Sequence, residues 1–117
     1  MYGQTGSGKT ASFVLPLLEL WQKKTLLNKR KKAKISLLIL TPTRDLTIQV
    51  SQSIIDFSSE FTVKPKIATV IGGESIGEQL FQIQKGVDII VATSGRLLDI
   101  VGKKQIDLSN VEHFVLD

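Results

Sequence analysis

Apolar positions along this chain switch repeatedly between two periods. From Lys9 to about Lys24, Val14, Leu17, Leu18 and Trp21 recur at helical spacing and mark one buried face. Pro16 falls inside that stretch, where a ring without an N–H should kink the helix at a cost of about 3 kcal/mol. Ile35 to Thr41 is a short, nearly unbroken apolar run, as in a strand covered on both faces. Thr43 to about Phe61 returns to helical spacing through Leu46, Val50, Ile54, Phe57 and Phe61. Lys66 to Ile71 predicts a second strand closed by Gly72-Gly73. Ser75 and Glu78 have capping-box spacing ahead of a helix whose inner face is Ile76, Leu80 and Ile83. Val87 to Ala92 predicts a third strand, Gly95 to about Gly102 a short helix, and Val111 to Leu116 a fourth strand.

A helix followed by three strand–helix pairs and a last strand implies right-handed crossovers. The expected fold is α/β, a parallel sheet with helices on both faces. At 117 residues the chain suits one domain, with Thr25 to Lys34 as its loosest connection.

Composition narrows the chemistry. The hydrophobic fraction is 42% and the charged fraction 22%, values of a chain that folds around a core rather than staying disordered. No cysteine is present, which excludes disulfides and thiolate chemistry, and the single histidine, His113, argues against zinc. No apolar run reaches the ~18 residues that a membrane-spanning helix needs, so a soluble, intracellular domain is expected. His113 and Trp21 read as structural.

Of the basic residues, Lys23, Lys24, Lys29, Arg30, Lys31, Lys32 and Lys34 form one acid-free segment, and taking those seven from a net charge of +4 leaves −3. The segment fits a solvated connecting loop, a nuclear-import signal at 29–34 or an auxiliary phosphate-binding patch. The compartment stays open among nucleus, cytoplasm and organelle.

Gly3-Gln4-Thr5-Gly6-Ser7-Gly8-Lys9-Thr10 has P-loop spacing. Gly6 and Gly8 let successive amides curl inward toward phosphate oxygens, and the following helix directs its positive end to the same point. Lys9 then reaches the β- and γ-phosphates, and the Thr10 hydroxyl is placed to ligate Mg²⁺. Such a loop ordinarily joins a strand to a helix. Only Met1 and Tyr2 precede Gly3, so the first strand of the sheet is expected to be missing.

In a parallel sheet, ligands bind at the edge where the strands end. That edge should carry Thr41-Pro42-Thr43-Arg44, Gly72-Gly73, Thr93-Ser94-Gly95-Arg96 and Asp117. Two of these join a hydroxyl and an arginine at a helix start, an arrangement suited to phosphate. Gly72-Gly73 admits a backbone closely. Together they suit a polynucleotide held by sugar and phosphate without base reading. Asp117, after Phe114-Val115-Leu116, stands where a P-loop protein carries its Mg²⁺ carboxylate.

With these motifs in this order, the chain resembles the first RecA-like domain of the DEAD-box RNA helicases. Gln4-Thr5-Gly6-Ser7-Gly8-Lys9-Thr10 resembles that family's first motif, and Pro42-Thr43-Arg44-Asp45-Leu46 its Pro-Thr-Arg-Glu-Leu motif. Gly72-Gly73 resembles its double glycine, Thr93-Ser94-Gly95-Arg96 its Thr-Pro-Gly-Arg motif, and Val115-Leu116-Asp117 the approach to the Asp-Glu-Ala-Asp box. The resemblance implies an ATP-dependent enzyme that binds single-stranded RNA, or a short duplex, without sequence preference and separates short duplexes locally. It assigns Gln4 to Thr10 to ATP, with Lys9, Thr10 and Asp117 catalytic and Thr10 and Asp117 serving Mg²⁺. It assigns Pro42, Thr43, Arg44, Gly72, Gly73, Thr93, Gly95 and Arg96 to RNA.

Asp45 stands for the usual Glu, Ser94 for the usual Pro, and Gly3 where Ala is frequent. Residues 1–117 are expected to form a partial N-terminal RecA-like domain, truncated at both ends. The glutamate that activates water, the glutamine motif, the Ser-Ala-Thr motif and the second domain with its arginine fingers are not in the sequence. The fragment alone is therefore expected to be inactive; the alternative function is that of a truncated, non-catalytic nucleotide- or RNA-binding remnant. Another P-loop class is the remaining rival. Asn28-Lys29-Arg30-Lys31 lacks the Asp of a guanine motif, and no Leu-Ser-Gly-Gly-Gln signature is present.

Overall fold

The computed structural model describes residues 6–28, 34–102, 106 and 108–116; for residues 6–13 and 28 it gives the course of the helix alone. The elements run α1 (Gly6–Asn28), β1 (Leu37–Thr41), α2 (Arg44–Phe57), a 3₁₀ turn (Ser58–Glu60), β2 (Ile67–Val70), α3 (Ile76–Lys85), β3 (Ile89–Thr93), α4 (Ser94–Gly102) and β4 (His113–Leu116). All three strand pairings are parallel, in the order β2-β3-β1-β4. Leu37 to Thr41 lie in register with Ile89 to Thr93, which brings the two strand ends, Thr41 and Thr93, side by side. The α/β expectation holds, with each strand a residue or two shorter than its apolar run.

Because side chains alternate across a sheet, β1 and β3 feed two cores. Leu37, Ile39, Ile89 and Val91 face α1 and α2 and meet Val14, Leu18, Val50 and Ile54. Leu38, Ile90 and Ala92 face α3 and α4, with Ala68, Val70, Leu80, Ile83, Leu97 and Ile100. Helices therefore cover both faces. This is why β1 and β3 read as continuous apolar runs rather than alternating ones.

Two sequence expectations shift. Helix α1 extends from Gly6 to Asn28, past both expected ends and through Pro16, which lies on its exposed side. Thr25, expected in the loosest loop, is a buried helical residue, 8% exposed. Lys23 and Lys24 are exposed helix residues, and the Lys24 ammonium pairs with Glu112 at 3.3 Å. The remaining run at 29–33 lies outside the described residues.

That ion pair also orients α1. Glu112 immediately precedes β4, so the carboxyl end of α1 sits beside the start of a strand. The amino end of α1 is consequently directed toward the edge where the strands finish. Trp21 and His113 line a small hollow between α1 and the start of β4, away from that edge.

Candidate nucleic-acid interface

Three connections leave the sheet at the edge where its strands end, and each is built differently. After β1, Thr43 caps α2 from an extended conformation (φ −135°, ψ 157°), its hydroxyl accepting from the Leu46 N–H at 3.2 Å. Thr41 belongs to the interior instead. It is 3% exposed, its hydroxyl is hydrogen-bonded to that of Thr47, and Thr47 donates in turn to the Thr43 carbonyl at 2.9 Å. Thr41 thus locks the turn from below, and Pro42, Thr43 and Arg44 are the exposed residues.

After β2, the double glycine is gripped from both sides of the sheet. From α2, Arg44 Nη1 donates to the Gly72 carbonyl at 3.0 Å. From α3, Gln79 Nε2 donates to the Ile71 carbonyl at 2.9 Å. Gly73 has φ +83°, a left-handed conformation that glycine adopts without steric cost. A Cβ there would also lie 2.5 Å from Arg44 Nη1. Ser75 then caps α3, accepting from the Glu78 N–H at 3.3 Å as the capping-box spacing implied.

After β3, Ser94 begins α4 directly, so Gly95 and Arg96 lie in its first turn. The Arg96 guanidinium reaches toward the double glycine: a Cβ on Gly72 would be 4.0 Å from Arg96 Nη2. A Cβ on Gly95 would meet nothing within 4 Å, so crowding inside the chain does not require glycine there.

The fold thus gathers Arg44, Gly72, Gly73 and Arg96 from three separate connections into one cluster. Thr93 and Gly95 stand beside it at the end of β3 and the start of α4. Two guanidiniums around exposed backbone make an anion-attracting surface suited to phosphate oxygens. Near the same edge, the opening turn of α1 begins at Gly6, where the first helical amides have no intrahelical acceptor and the helix dipole is positive. That geometry fits a polyphosphate. Gln4, Thr5 and Asp117 lie outside the described residues, as do the side chains of Gly6 to Thr10. Among the described residues no cluster of three or more His, Cys, Asp or Glu could hold a metal, and no helix is long and apolar enough to cross a membrane.

Gln79 is the residue that sequence reading missed. It is 5% exposed although flanked by Glu78, and its Oε1 is the one buried side-chain polar atom without a partner among the described residues. Helical spacing carried the signal, since position 79 falls between Ile76 and Ile83 on the inner face. Asp88 was likewise hidden within an apolar run. It is 1% exposed, and its carboxylate accepts from the Lys66 N–H at 2.8 Å, tying β2 to the start of β3.

The DEAD/DEAH box helicase family model matches residues 1–117. The RNA helicase CrhR of Synechocystis is 40% identical over 114 residues, which are 97% of this chain and 21% of that protein. The pre-mRNA-splicing ATP-dependent RNA helicase PRP28 of Yarrowia lipolytica is 38% identical over 115 residues, 97% of this chain and 20% of that protein. Among solved structures, a hypothetical ATP-dependent RNA helicase from Sulfolobus tokodaii superposes with a TM-score of 0.75 at 39% identity, over 97% of this chain and 30% of that one. A DEAD box protein from Methanococcus jannaschii gives 0.74 at 38% identity, over 97% and 28%. The chain thus spans about a fifth of the length of the curated relatives it matches.

Proposed function

The chain belongs to the DEAD/DEAH box helicase family, and from that premise we propose that residues 1–117 are part of the ATP-binding N-terminal RecA-like domain of an ATP-dependent RNA helicase. The reading has an RNA sugar-phosphate backbone lying along the strand-end edge, with ATP at the start of α1. The observation that carries it is the convergence of Arg44, Gly72, Gly73 and Arg96 at one point of that edge.

The roles follow from chemistry. Arg44 and Arg96 offer charge-assisted N–H donors to phosphate oxygens. Thr43 and Thr93 contribute hydroxyls, Pro42 shapes the turn, and Gly73 and Gly95 leave room for a second backbone to approach. None of these groups reads a base edge, so the RNA, single-stranded or a short duplex, is bound independently of sequence. Gln4 to Thr10 hold the nucleotide: backbone amides cradle its phosphates, and Lys9 adds a positive charge at the β- and γ-phosphates. Thr10 and Asp117 are oxygen donors suited to Mg²⁺. Bound ATP supplies the phosphoanhydride whose hydrolysis, in the whole protein, is coupled to local duplex separation. In the 117-residue chain itself the activity to test is binding.

The test is an equilibrium titration of the chain with a fluorescent ATP analogue and, separately, with a labelled oligouridine. Nucleotide binding should disappear in Lys9→Ala while RNA binding persists, and Arg44→Ala with Arg96→Ala should do the reverse. Loss of both ligands in either variant, with the fold intact, would refute two separate sites. Failure of the wild-type chain to bind either ligand would leave the non-catalytic remnant without a binding role.

A further inference from the structure

We infer that Gln79 is a positioning residue that aims the amide of Gly72 at the bound phosphate backbone, a role that rests on the RNA reading above. Gln79 is a buried polar residue, 5% exposed, on a face that is otherwise apolar. Gln79 sits on the inner face of α3 beside Leu80 and Ile83, where an apolar residue would join the core. Among the described residues its Oε1 is buried without a partner, an arrangement that lowers stability. What the side chain does achieve is a single directed bond, from Nε2 to the Ile71 carbonyl at 2.9 Å.

That bond sets the plane of the peptide joining Ile71 to Gly72. Among the described residues no peptide is cis, and in a trans peptide the C=O and N–H point in opposite directions. With the Ile71 carbonyl drawn toward α3, the Gly72 N–H is turned away from α3. The next peptide is set from the opposite face of the sheet, because Arg44, on α2, draws the Gly72 carbonyl toward itself at 3.0 Å. The two planes on either side of Gly72 are therefore held independently, one by Gln79 and one by Arg44. The left-handed turn at Gly73 accommodates the change of direction between them. Arg96 approaches the same residue from α4, its Nη2 4.0 Å from where a Cβ on Gly72 would stand, so a phosphate held at Gly72 would also lie within reach of a guanidinium.

The test uses the 117-residue chain with Gln79→Leu and Gln79→Met, which keep the side chain's bulk and remove its donor. Removing the donor also removes the orphaned acceptor, so both variants should melt close to wild type. In the RNA-free protein, the Gly72 and Gly73 amide resonances should shift and exchange faster, while those of Ala68 and Ile90 stay in place. Affinity for oligouridine should fall about fivefold to tenfold, the scale of one lost directed hydrogen bond. Unchanged Gly72 and Gly73 amides in both variants would overturn the proposal whether or not RNA binds. Wild-type RNA affinity in both, alongside a loss in Arg44→Ala, would overturn it while leaving the RNA reading intact. If Arg44→Ala and Arg96→Ala also bound normally, the RNA reading and the role that rests on it would fall together. Loss of the folded signal in both variants would make Gln79 a folding residue and overturn its assignment as a positioning one.

Discussion

The guanidinium of Arg44 at the start of α2 donates to the carbonyl of Gly72 at 3.0 Å, linking two connections that lie 28 residues apart in the chain. Part of that guanidinium's donor capacity therefore holds the double-glycine turn, and its remaining N–H groups stay available to a ligand. Arg44 is a brace as well as a candidate contact, so its loss should act on the turn and the ligand together.

Gly72 and Gly73 should respond differently to alanine. At Gly73 the left-handed φ of +83° costs a side chain about 1–2 kcal/mol, and the new Cβ would displace Arg44. At Gly72 the nearest atom would be Arg96 Nη2 at 4.0 Å, an ordinary contact. Gly73→Ala should lower the melting temperature and weaken RNA binding, and Gly72→Ala should leave the melting temperature within a degree or two of wild type. Parallel thermal melts and RNA titrations check both.

Gly95→Ala separates stability from binding. A Cβ there meets nothing in the chain, and alanine is favoured over glycine within a helix by about 0.5–1 kcal/mol. Denaturant unfolding should show the variant equal to or more stable than wild type. If an RNA backbone passes over the start of α4, the same variant should bind oligouridine more weakly.

Arg96→Ala should reduce RNA affinity by a similar factor for oligouridine and oligocytidine. It should also lower the slope of log affinity against log salt by about one, because one phosphate contact and its counterion release are lost. Titrations of the two RNAs at several salt concentrations read both quantities. A loss confined to one sequence would show base reading at this arginine.

Two substitutions at a helix cap and at a buried acceptor should act on the fold rather than on the arginines. Ser75→Ala removes the cap of α3 and should cost about 1 kcal/mol, whereas Ser75→Gly should cost a few tenths. Asp88→Ala removes the buried acceptor of the Lys66 N–H and should cost about 1–3 kcal/mol. Urea unfolding measures each, and RNA affinity extrapolated to the folded population should be unchanged.

Periodicity and spacing by themselves determined that the chain alternates strands and helices, that its sheet is parallel and that the motifs at 41–44, 72–73 and 93–96 fall where strands end. These are local properties. A run such as Leu37 to Thr41 reads as a doubly covered strand because every one of its positions is apolar or Thr, and Ser75 with Glu78 marks a cap because both partners lie within one turn. Strand order was not legible, since β1 lies between β3 and β4 only through pairings between distant segments. Nor was the division of labour at the edge where the strands end. Thr41 and Thr43 are two residues apart and chemically alike, yet one is buried beneath the turn and the other caps α2 at the surface. Gln79 reads as one more polar residue beside Glu78, and only the packing of α3 against β2 brings its amide to the Ile71 carbonyl. Such assignments depend on which backbone groups approach through space, and three-dimensional packing decides that.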